Sequence, residues 1–198
     1  HSFPTRRSSD LDTVAVDSRF QVLAAVDCPN LGRTKGNWYK AVPPLARCYT
    51  GLTPGDYFGR AMVANLPSNV RVGIINVAVG GCRIELFDKD NYQFYVETSP
   101  DWLKNMVKEY GGNPYARLVE MAKLAQKDGV IKGILLHQGE SNTNDKDWPL
   151  KVKGVYDNLL NDLGLSAANV PLLAGEGVHA DQNGVCASMN TIIDSLPQ

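Results

Sequence analysis

The stretch Val72-Gly73-Ile74-Ile75-Asn76-Val77-Ala78-Val79, VGIINVAV in one-letter code, is the part of the sequence that says most about the fold. Its residues are almost continuously apolar, as expected for a strand of a parallel sheet that is buried on both faces. The stretch ends at Gly80 and Gly81, where the chain can turn sharply. It therefore predicts a buried strand of a parallel sheet, followed by a tight turn.

Short apolar runs alternate with amphipathic stretches on both sides of this strand. The predicted strands are residues 20–26, 72–79, 131–136 and 170–175, and the predicted helices are 55–66, 100–110, 114–127, 147–163 and 185–196. Residues 28–54 and 82–99 are predicted to be loops. This alternation is typical of an α/β protein in which helices cover both faces of a mainly parallel sheet.

The length and composition indicate a globular protein with one sizeable core. The chain has 198 residues, of which 43% are hydrophobic and 21% are charged, and such a chain can form a single domain. The net charge of −1 gives no electrostatic reason to expect nucleic acid or an anionic membrane as a partner. Because no apolar run approaches the roughly 18 residues of a membrane span, we predict no membrane association.

The start of the chain differs in character from the rest. Residues 1–11, HSFPTRRSSDL, have neither a helical nor a strand period, and we interpret them as a non-native or disordered lead. The predicted domain is residues 12–198.

The four cysteines, Cys28, Cys48, Cys82 and Cys186, form no C-x-x-C pair that would indicate zinc or a redox dithiol. Buried or incidental thiols are the favoured interpretation, and a Cys28–Cys48 bridge is an open alternative if the protein is exported. No metal and no cofactor are predicted.

Three polar segments follow predicted strands. They are Gly80-Gly81 with the residues after it, residues 137–144 (HQGESNTN), and residues 176–182 (EGVHADQ). Ligands of open α/β sheets bind outside the carboxyl ends of the strands, because the loops can converge there. We therefore predict that these three segments form one site.

Three stretches carry a resemblance to a known family: VAVGGCRIELFD at residues 77–88, ILLHQGESN at 134–142, and DCPNLGRTKGNW at 27–38. They resemble the sialic-acid-specific acetylesterase and acetylxylan esterase group of SGNH hydrolases. The resemblance implies a three-layer α/β/α, flavodoxin-like fold and removal of acetyl groups from sugars through a serine acyl-enzyme. The compartment is undetermined; secretion or the periplasm is an expectation for the full-length protein.

The resemblance also suggests catalytic roles. Acyl transfer needs hydrogen-bond donors aimed at the oxyanion of the tetrahedral intermediate. The backbone N–H groups of Gly80 or Gly81 are candidates, and the side-chain amide of Gln138 is the candidate second donor. Glu140 either orients the catalytic histidine or holds its loop by accepting backbone hydrogen bonds, and the sequence favours neither.

Further polar residues are candidates for contact with the sugar, each with a structural alternative. The candidates are His137, Asn142, Arg83, His179 and Asp181, with Glu85 and Asp88 beside Arg83. For His137, a packed, hydrogen-bonded histidine is the favoured interpretation. A loop-stabilising network explains His179 and Asp181 at least as well, and solvated surface charge is the alternative for Arg83, Glu85 and Asp88. Trp38 and Tyr39 in the long loop are candidates for stacking on a sugar.

The family's nucleophile lies in a G-Q-S-N block and its histidine in a D-x-x-H block, and neither occurs in this sequence. We therefore expect an internal fragment of such an esterase, incomplete at both ends. It should keep parts of the oxyanion hole but be inactive alone, because the nucleophile and the base are missing. Its stability should be marginal, because sheet edges and apolar faces stay uncovered.

Two alternatives remain open. One is a hydrolase that uses Ser141 as nucleophile and His179 as base, since residues 139–143 (GESNT) miss the G-x-S-x-G pattern by one residue. The other is a non-catalytic flavodoxin-like binding module, in which His137, Glu140, His179 and Asp181 could bind a ligand or a metal.

Overall fold

The computed structural model describes residues 15–197, and the predicted lead lies outside them. The described chain divides after Ala78 into two compact units. Helices and small sheets alternate in an α/β arrangement.

The first unit is built on a three-stranded sheet. Its strands are β1 (Phe20–Leu23), β2 (Trp38–Lys40) and β3 (Val72–Ile75), with β1 in the centre, antiparallel to β2 and parallel to β3. Helix α1 (Pro54–Asn65) packs on β1 and β3. A capping interaction fixes its start, because the Asp56 carboxylate accepts the Thr53 N–H at 2.7 Å.

The predicted loop 28–54 is more structured than its Gly and Pro content indicates. It contains β2 and a 3₁₀ turn at Pro29–Leu31. The Trp38 ring lies over Gly73, a cross-sheet contact between residues distant in sequence. Cys28 and Cys48 form a disulfide, so the favoured interpretation of these two cysteines as free thiols is wrong, while Cys82 and Cys186 are free.

The second unit begins at Val79 and contains a two-stranded parallel sheet. Its helices and strands are α2 (Tyr92–Thr98), α3 (Asp101–Glu109), α4 (Pro114–Ala125), β4 (Ile134–Leu136), α5 (Trp148–Leu163), β5 (Leu172–Ala174) and α6 (Asn190–Ile193). Strands β4 and β5 pair with Ile134 opposite Leu172. Leu135 and Leu173, also paired, are 41% and 52% exposed, so part of this small sheet presents apolar side chains to solvent.

The core of the second unit surrounds the indole of Trp148, which is fully buried. Ile84, Val152, Met189 and Ile193 complete this cluster. Trp148 begins α5 and Ile84 belongs to a 3₁₀ turn, Ile84–Phe87. The core therefore joins the segment after Gly81, helix α5 and the C-terminal residues.

Two predicted segments of this unit differ from the structure. Helix α2 lies in the predicted loop 82–99, where the Asp88 carboxylate accepts the N–H groups of Asp90 and Asn91 just before the helix starts. The predicted helix 185–196 is reduced to a 3₁₀ turn, Ala187–Met189, and the short α6. The structure instead uses Asn190 to bind the backbone of Gly177 through two hydrogen bonds.

Two of the three strand pairings in residues 15–197 are parallel. A single, mainly parallel sheet in a three-layer sandwich stays a prediction, because the strands form two separate hydrogen-bonded sheets.

Candidate functional site

A tight turn at Val79–Cys82 carries the two candidate oxyanion donors. It is closed by a long hydrogen bond of 3.4 Å from the Cys82 N–H to the Val79 carbonyl. Gly81 has a φ of +74°, in the left-handed region that favours glycine. Gly80 and Gly81 are exposed, and their N–H groups have no acceptor within residues 15–197. Two adjacent backbone donors therefore face solvent.

The loop after β4 turns at Gly139, which has a φ of +141°. A side chain at Gly139 would meet Met189, since a Cβ there would lie 3.0 Å from its Cγ. The next three residues, Glu140–Asn142, form a 3₁₀ turn. Close packing and the φ value thus both account for glycine between Gln138 and Glu140.

Hydrogen bonds tie this loop to the Gly80–Gly81 turn. The Ser141 hydroxyl donates to the Gly81 carbonyl at 2.9 Å, and the Gln138 amide donates to the Cys82 carbonyl at 3.2 Å. The structure therefore brings together Gly80, Gly81 and Gln138, which are separated by more than fifty residues.

The Gln138 side chain is held at both ends. Its amide nitrogen donates to the Cys82 carbonyl and, at 2.8 Å, to Asn142 Oδ1, while its carbonyl oxygen accepts the indole N–H of Trp148. A primary amide has two N–H groups, so both are engaged with protein acceptors. Gln138 can donate to an oxyanion only by exchanging one of these hydrogen bonds.

Asn142, predicted to contact substrate, is instead 1% exposed. Its Oδ1 accepts the Ile84 N–H at 2.8 Å as well as the Gln138 amide. Its Nδ2 donates to the carboxylates of Glu85 and Asp145 at 3.1 and 3.0 Å. This geometry favours a positioning role, because no hydrogen-bonding capacity is left for a sugar.

A cluster of charges surrounds Asn142. Lys151 of α5 donates to Glu85 at 2.8 Å and to Asp145 at 2.6 Å, and Arg83 lies 3.5 and 3.6 Å from the same two carboxylates. The hydrogen bond from Lys151 holds the pKa of Asp145 below its usual value. Burial alone would raise the pKa of Glu85, but hydrogen bonds from Lys151 and Asn142 outweigh it and lower that pKa. Both carboxylates are therefore ionised at neutral pH, and Arg83 is engaged with them.

His137 and Glu140 face each other at the edge of a small cleft. The His137 Nε2 lies 3.5 Å from the Glu140 carboxylate, and both side chains are about half exposed. The interpretation of His137 as a packed histidine is therefore wrong. The Glu140 carboxylate thus lies against an imidazole, and both predicted roles of Glu140, orienting the catalytic histidine and holding its loop, stay predictions.

The cleft itself is narrow. Glycines 175 and 177, Cys186 and residues of the C-terminal segment line it together with His137, Gln138 and Glu140. Its volume of about 10 Å³ holds about one water molecule. It does not accommodate a sugar ring in this conformation.

The third predicted segment contains an acid–imidazole pair. His179 Nε2 lies 2.6 Å from the Glu176 carboxylate, and both side chains are partly exposed. Asp181 lies in an exposed 3₁₀ turn, Ala180–Gln182. Because Ser141 donates to the Gly81 carbonyl and His179 is paired with Glu176, the structure shows no Ser141–His179 hydrogen bond.

Cys82, which follows the Gly80–Gly81 turn, is no alternative nucleophile. Burial raises the pKa of its thiol to about 12, so the reactive thiolate is not formed at neutral pH.

Within the described part of the chain, no group of three or more His, Cys, Asp or Glu side chains is placed to hold a metal ion. His137, Glu140, His179 and Asp181 thus form no such metal-holding group, and a binding module for an organic ligand stays an open alternative. No described helix is long and apolar enough to span a membrane.

Sequence reasoning missed several residues of this site. In the sequence, Trp148 and Lys151 look like ordinary residues of an amphipathic helix. In the structure, Trp148 contacts Gln138, and Lys151 contacts the carboxylates of Glu85 and Asp145.

Asp88 was a candidate sugar contact, but its carboxylate accepts hydrogen bonds from the residues just before α2. Trp102, which lies against Gly81, had no distinguishing signal in the sequence. Trp38 and Tyr39 lie in β2 of the first unit.

The family model for carbohydrate esterase, sialic acid-specific acetylesterase, matches residues 28–193, which is most of the chain. The chain belongs to this family. The family match covers the Gly80–Gly81 turn, the loop of Gln138 and the segment of His179.

A solved X-ray structure of a protein from Arabidopsis thaliana is similar, with a TM-score of 0.57 and 18% sequence identity over 92% of this chain and 84% of that one. At this identity the likeness concerns the fold alone. It extends over nearly all of this acetylesterase-family chain.

Proposed function

We propose that the protein removes O-acetyl groups from sugars, of the sialate or xylan type, by serine acyl-enzyme hydrolysis. The observation that supports this most directly is the exposed Gly80–Gly81 turn, whose two N–H groups have no acceptor within residues 15–197. Membership of the carbohydrate esterase family gives the reaction class.

In the proposed mechanism, the Gly80 and Gly81 N–H groups donate to the acetyl carbonyl oxygen as it gains negative charge. Such donors act most strongly when they are fixed before the reaction, and one of them contributes roughly 3 to 4 kcal/mol to transition-state stabilisation. The hydrogen bonds from Ser141 and Gln138 to the carbonyls of Gly81 and Cys82 would provide this fixation.

The nucleophile and base are proposed to belong to the G-Q-S-N and D-x-x-H blocks of the family, which the printed sequence does not contain. Glu140 is proposed to orient the catalytic histidine of that block, because its carboxylate is about half exposed; its present contact at 3.5 Å is with His137. The 198-residue chain alone would then form no acyl-enzyme.

The test compares two proteins, this chain and a version that also carries both blocks. Hydrolysis of p-nitrophenyl acetate is followed for a burst, the rapid first release of p-nitrophenol that accompanies formation of an acyl-enzyme. We expect a burst only from the second protein, together with acetate release from acetylated xylan or O-acetyl sialic acid. A burst from the 198-residue chain, abolished by Ser141→Ala, would establish the Ser141–His179 alternative instead.

Gln138 offers a second test in the protein that carries both blocks. If the Gln138 amide donates to the oxyanion, Gln138→Ala should lower acetyl-ester turnover roughly a hundredfold or more, as removal of such a donor does. Gln126→Ala is the matched control, because the exposed Gln126 side chain donates to the Leu163 carbonyl at the end of α5. Equal rates for the two variants would exclude Gln138 from the machinery.

A further inference from the structure

Trp102 lies directly beside the Gly80–Gly81 turn. A Cβ placed on Gly81 would be 3.0 Å from Cη2 and 3.6 Å from Cζ3 of the Trp102 indole. The indole therefore borders the turn that carries the two free N–H groups. Trp102 is nevertheless 53% exposed, so a large part of its ring faces solvent at this place.

The packing of α3 does not require an aromatic residue at position 102. Leu103 and Val107 form the buried face of this helix, each 1% exposed. Single exposed apolar side chains are common on protein surfaces and need no explanation by themselves. What distinguishes Trp102 is its contact with Gly81.

Neighbouring contacts hold the turn and the aromatic side chains in place. The Tyr95 hydroxyl of α2 accepts the Arg83 N–H at 3.0 Å, which fixes the chain two residues after Gly81. Helices α2 and α3 pack on each other. The indole and the two donors are thus carried by segments that are hydrogen-bonded or packed together.

We propose that Trp102 is the stacking platform for the pyranose ring of the acetylated sugar, and hence a specificity-determining residue. This inference rests on the proposed function. When the O-acetyl group sits on a ring hydroxyl, as in acetylated xylan, its carbonyl carbon is two bonds from the ring carbon. When the carbonyl oxygen binds at Gly80 and Gly81, the sugar ring must therefore lie beside the turn, where the indole is.

The chemistry of the two partners fits. The C–H groups on one face of a pyranose ring present an apolar surface of slight positive charge, and the face of an indole is electron-rich. Aromatic side chains with a few polar groups are the usual lining of ligand sites. The absence of a Cβ at Gly81 lets the indole approach the turn closely and leaves the N–H groups uncovered.

The test compares Trp102→Ala with Phe94→Ala in the protein that carries both catalytic blocks. Phe94 is the matched control, since it is another exposed aromatic residue, 75% exposed, on the adjacent α2. We expect Trp102→Ala to lower kcat/KM for an acetylated xylo-oligosaccharide about tenfold, through KM, which corresponds to roughly 1.4 kcal/mol. Hydrolysis of ethyl acetate, which has no ring to stack on the indole, should fall far less than hydrolysis of the sugar ester, and Trp102→Tyr should restore most of the loss.

A binding measurement separates this inference from the proposed function. The same oligosaccharide should protect tryptophan fluorescence from acrylamide quenching in the parent protein and in Phe94→Ala, but not in Trp102→Ala. If the parent protein releases no acetate from any acetylated sugar, the proposed function fails. The platform is wrong if the parent protein releases acetate and Trp102→Ala is equally active and equally protected. It is also wrong if Trp102→Ala loses hydrolysis of ethyl acetate in the same proportion as hydrolysis of the sugar ester.

Discussion

Gly81 combines a backbone requirement with a position in the candidate site. Its φ of +74° is unfavourable for any residue with a Cβ, and a Cβ would also press on Trp102 at 3.0 Å. The same residue offers one of the two free N–H groups. Glycine at position 81 is therefore needed for the backbone conformation of the turn and for the proposed role of its N–H group as an oxyanion donor.

We expect Gly81→Ala to destabilise the chain by about 1 to 2 kcal/mol, the usual cost of the left-handed conformation for an L-residue. Urea unfolding measures this loss. Gly154→Ala is the control, because Gly154 lies within α5, where an added Cβ meets nothing within 4 Å. That substitution should stabilise the chain by about 0.5 to 1 kcal/mol, and a loss of similar size in both variants would contradict the argument.

Asn142 is the residue on which the polar contacts of the second unit converge. Its removal would leave the buried Ile84 N–H without its acceptor. The carboxylates of Glu85 and Asp145 would each lose one donor and keep their hydrogen bonds from Lys151. A buried group left unsatisfied costs about 1 to 3 kcal/mol. We expect Asn142→Ala to lower the free energy of unfolding by roughly 3 kcal/mol, measured in urea.

The control for this prediction is Asn105→Ala, since Asn105 is exposed on α3. It should change stability by less than about 0.5 kcal/mol. An Asn142→Ala protein as stable as the control would show that solvent replaces the amide, and that the cluster is not organised by Asn142.

At the scale of single residues, the sequence predicted which residues meet but not how they are bonded. Gly80, Gly81, Gln138 and Glu140 were chosen from their places after two strands and from the family resemblance. In the structure, hydrogen bonds to the carbonyls of Gly81 and Cys82 tie the loop of Gln138 to the Gly80–Gly81 turn. The burial of Asn142 could not be foreseen, because its environment is made by Ile84 and Glu85, more than fifty residues away. Such contacts leave no periodic signal in the sequence.

Helices with clear local signals were predicted best. Helix α4 begins at Pro114 as expected, because Asn113 accepts the Ala116 N–H at 2.9 Å and proline suits the first helical position. Helix α5 ends at Leu163, before Gly164 with a φ of +62°. Strand β2 and helix α2 were missed, since β2 depends on its pairing with β1 and α2 lacks an apolar period.

Helix α5 contributes Lys151 to the charged cluster, which predicts a dependence of stability on pH. The folded-state pKa values of Asp145 and Glu85 lie below their usual values, which are about 4 in unfolded chains. Their contribution is therefore fully present above about pH 5, where these groups are ionised in the unfolded chain as well, and it is lost as the pH falls through the unfolded and then the lower folded-state values. We expect the free energy of unfolding to fall between about pH 5 and pH 3.

The variant Asp145→Asn isolates this effect. It removes one of the two titrating groups while the other carboxyl groups remain, so the fall in stability below pH 5 should become shallower. Urea unfolding at several pH values, followed by the fluorescence of the buried Trp148, measures the slope. If the variant and the parent protein lose stability in parallel, the cluster does not control the acid response.

At the scale of the whole molecule, the question is whether the chain unfolds as a single domain or as two separate units. Residues 12–198 were predicted to form a single domain, while the described chain clusters into two compact units that meet in sequence after Ala78. The single-domain prediction requires that both units unfold in one transition. The disulfide provides a way to perturb the first unit alone, since Cys28 and Cys48 both belong to it.

Reduction of Cys28–Cys48 opens a loop with a sequence separation of 20, and the chain-entropy model gives a loss of about 3 kcal/mol for a loop of this length. We expect dithiothreitol to shift the unfolding of Trp38→Phe, in which the remaining tryptophans, Trp102 and Trp148, lie in the second unit. The double variant Cys28→Ala/Cys48→Ala should show the same loss without reductant and no response to it. If dithiothreitol shifts the unfolding transition followed by circular dichroism but not the one followed by tryptophan fluorescence, the two units unfold separately. The disulfide lies in the first unit and the tryptophans of this variant lie in the second, so reduction changes their fluorescence transition only if the units unfold cooperatively.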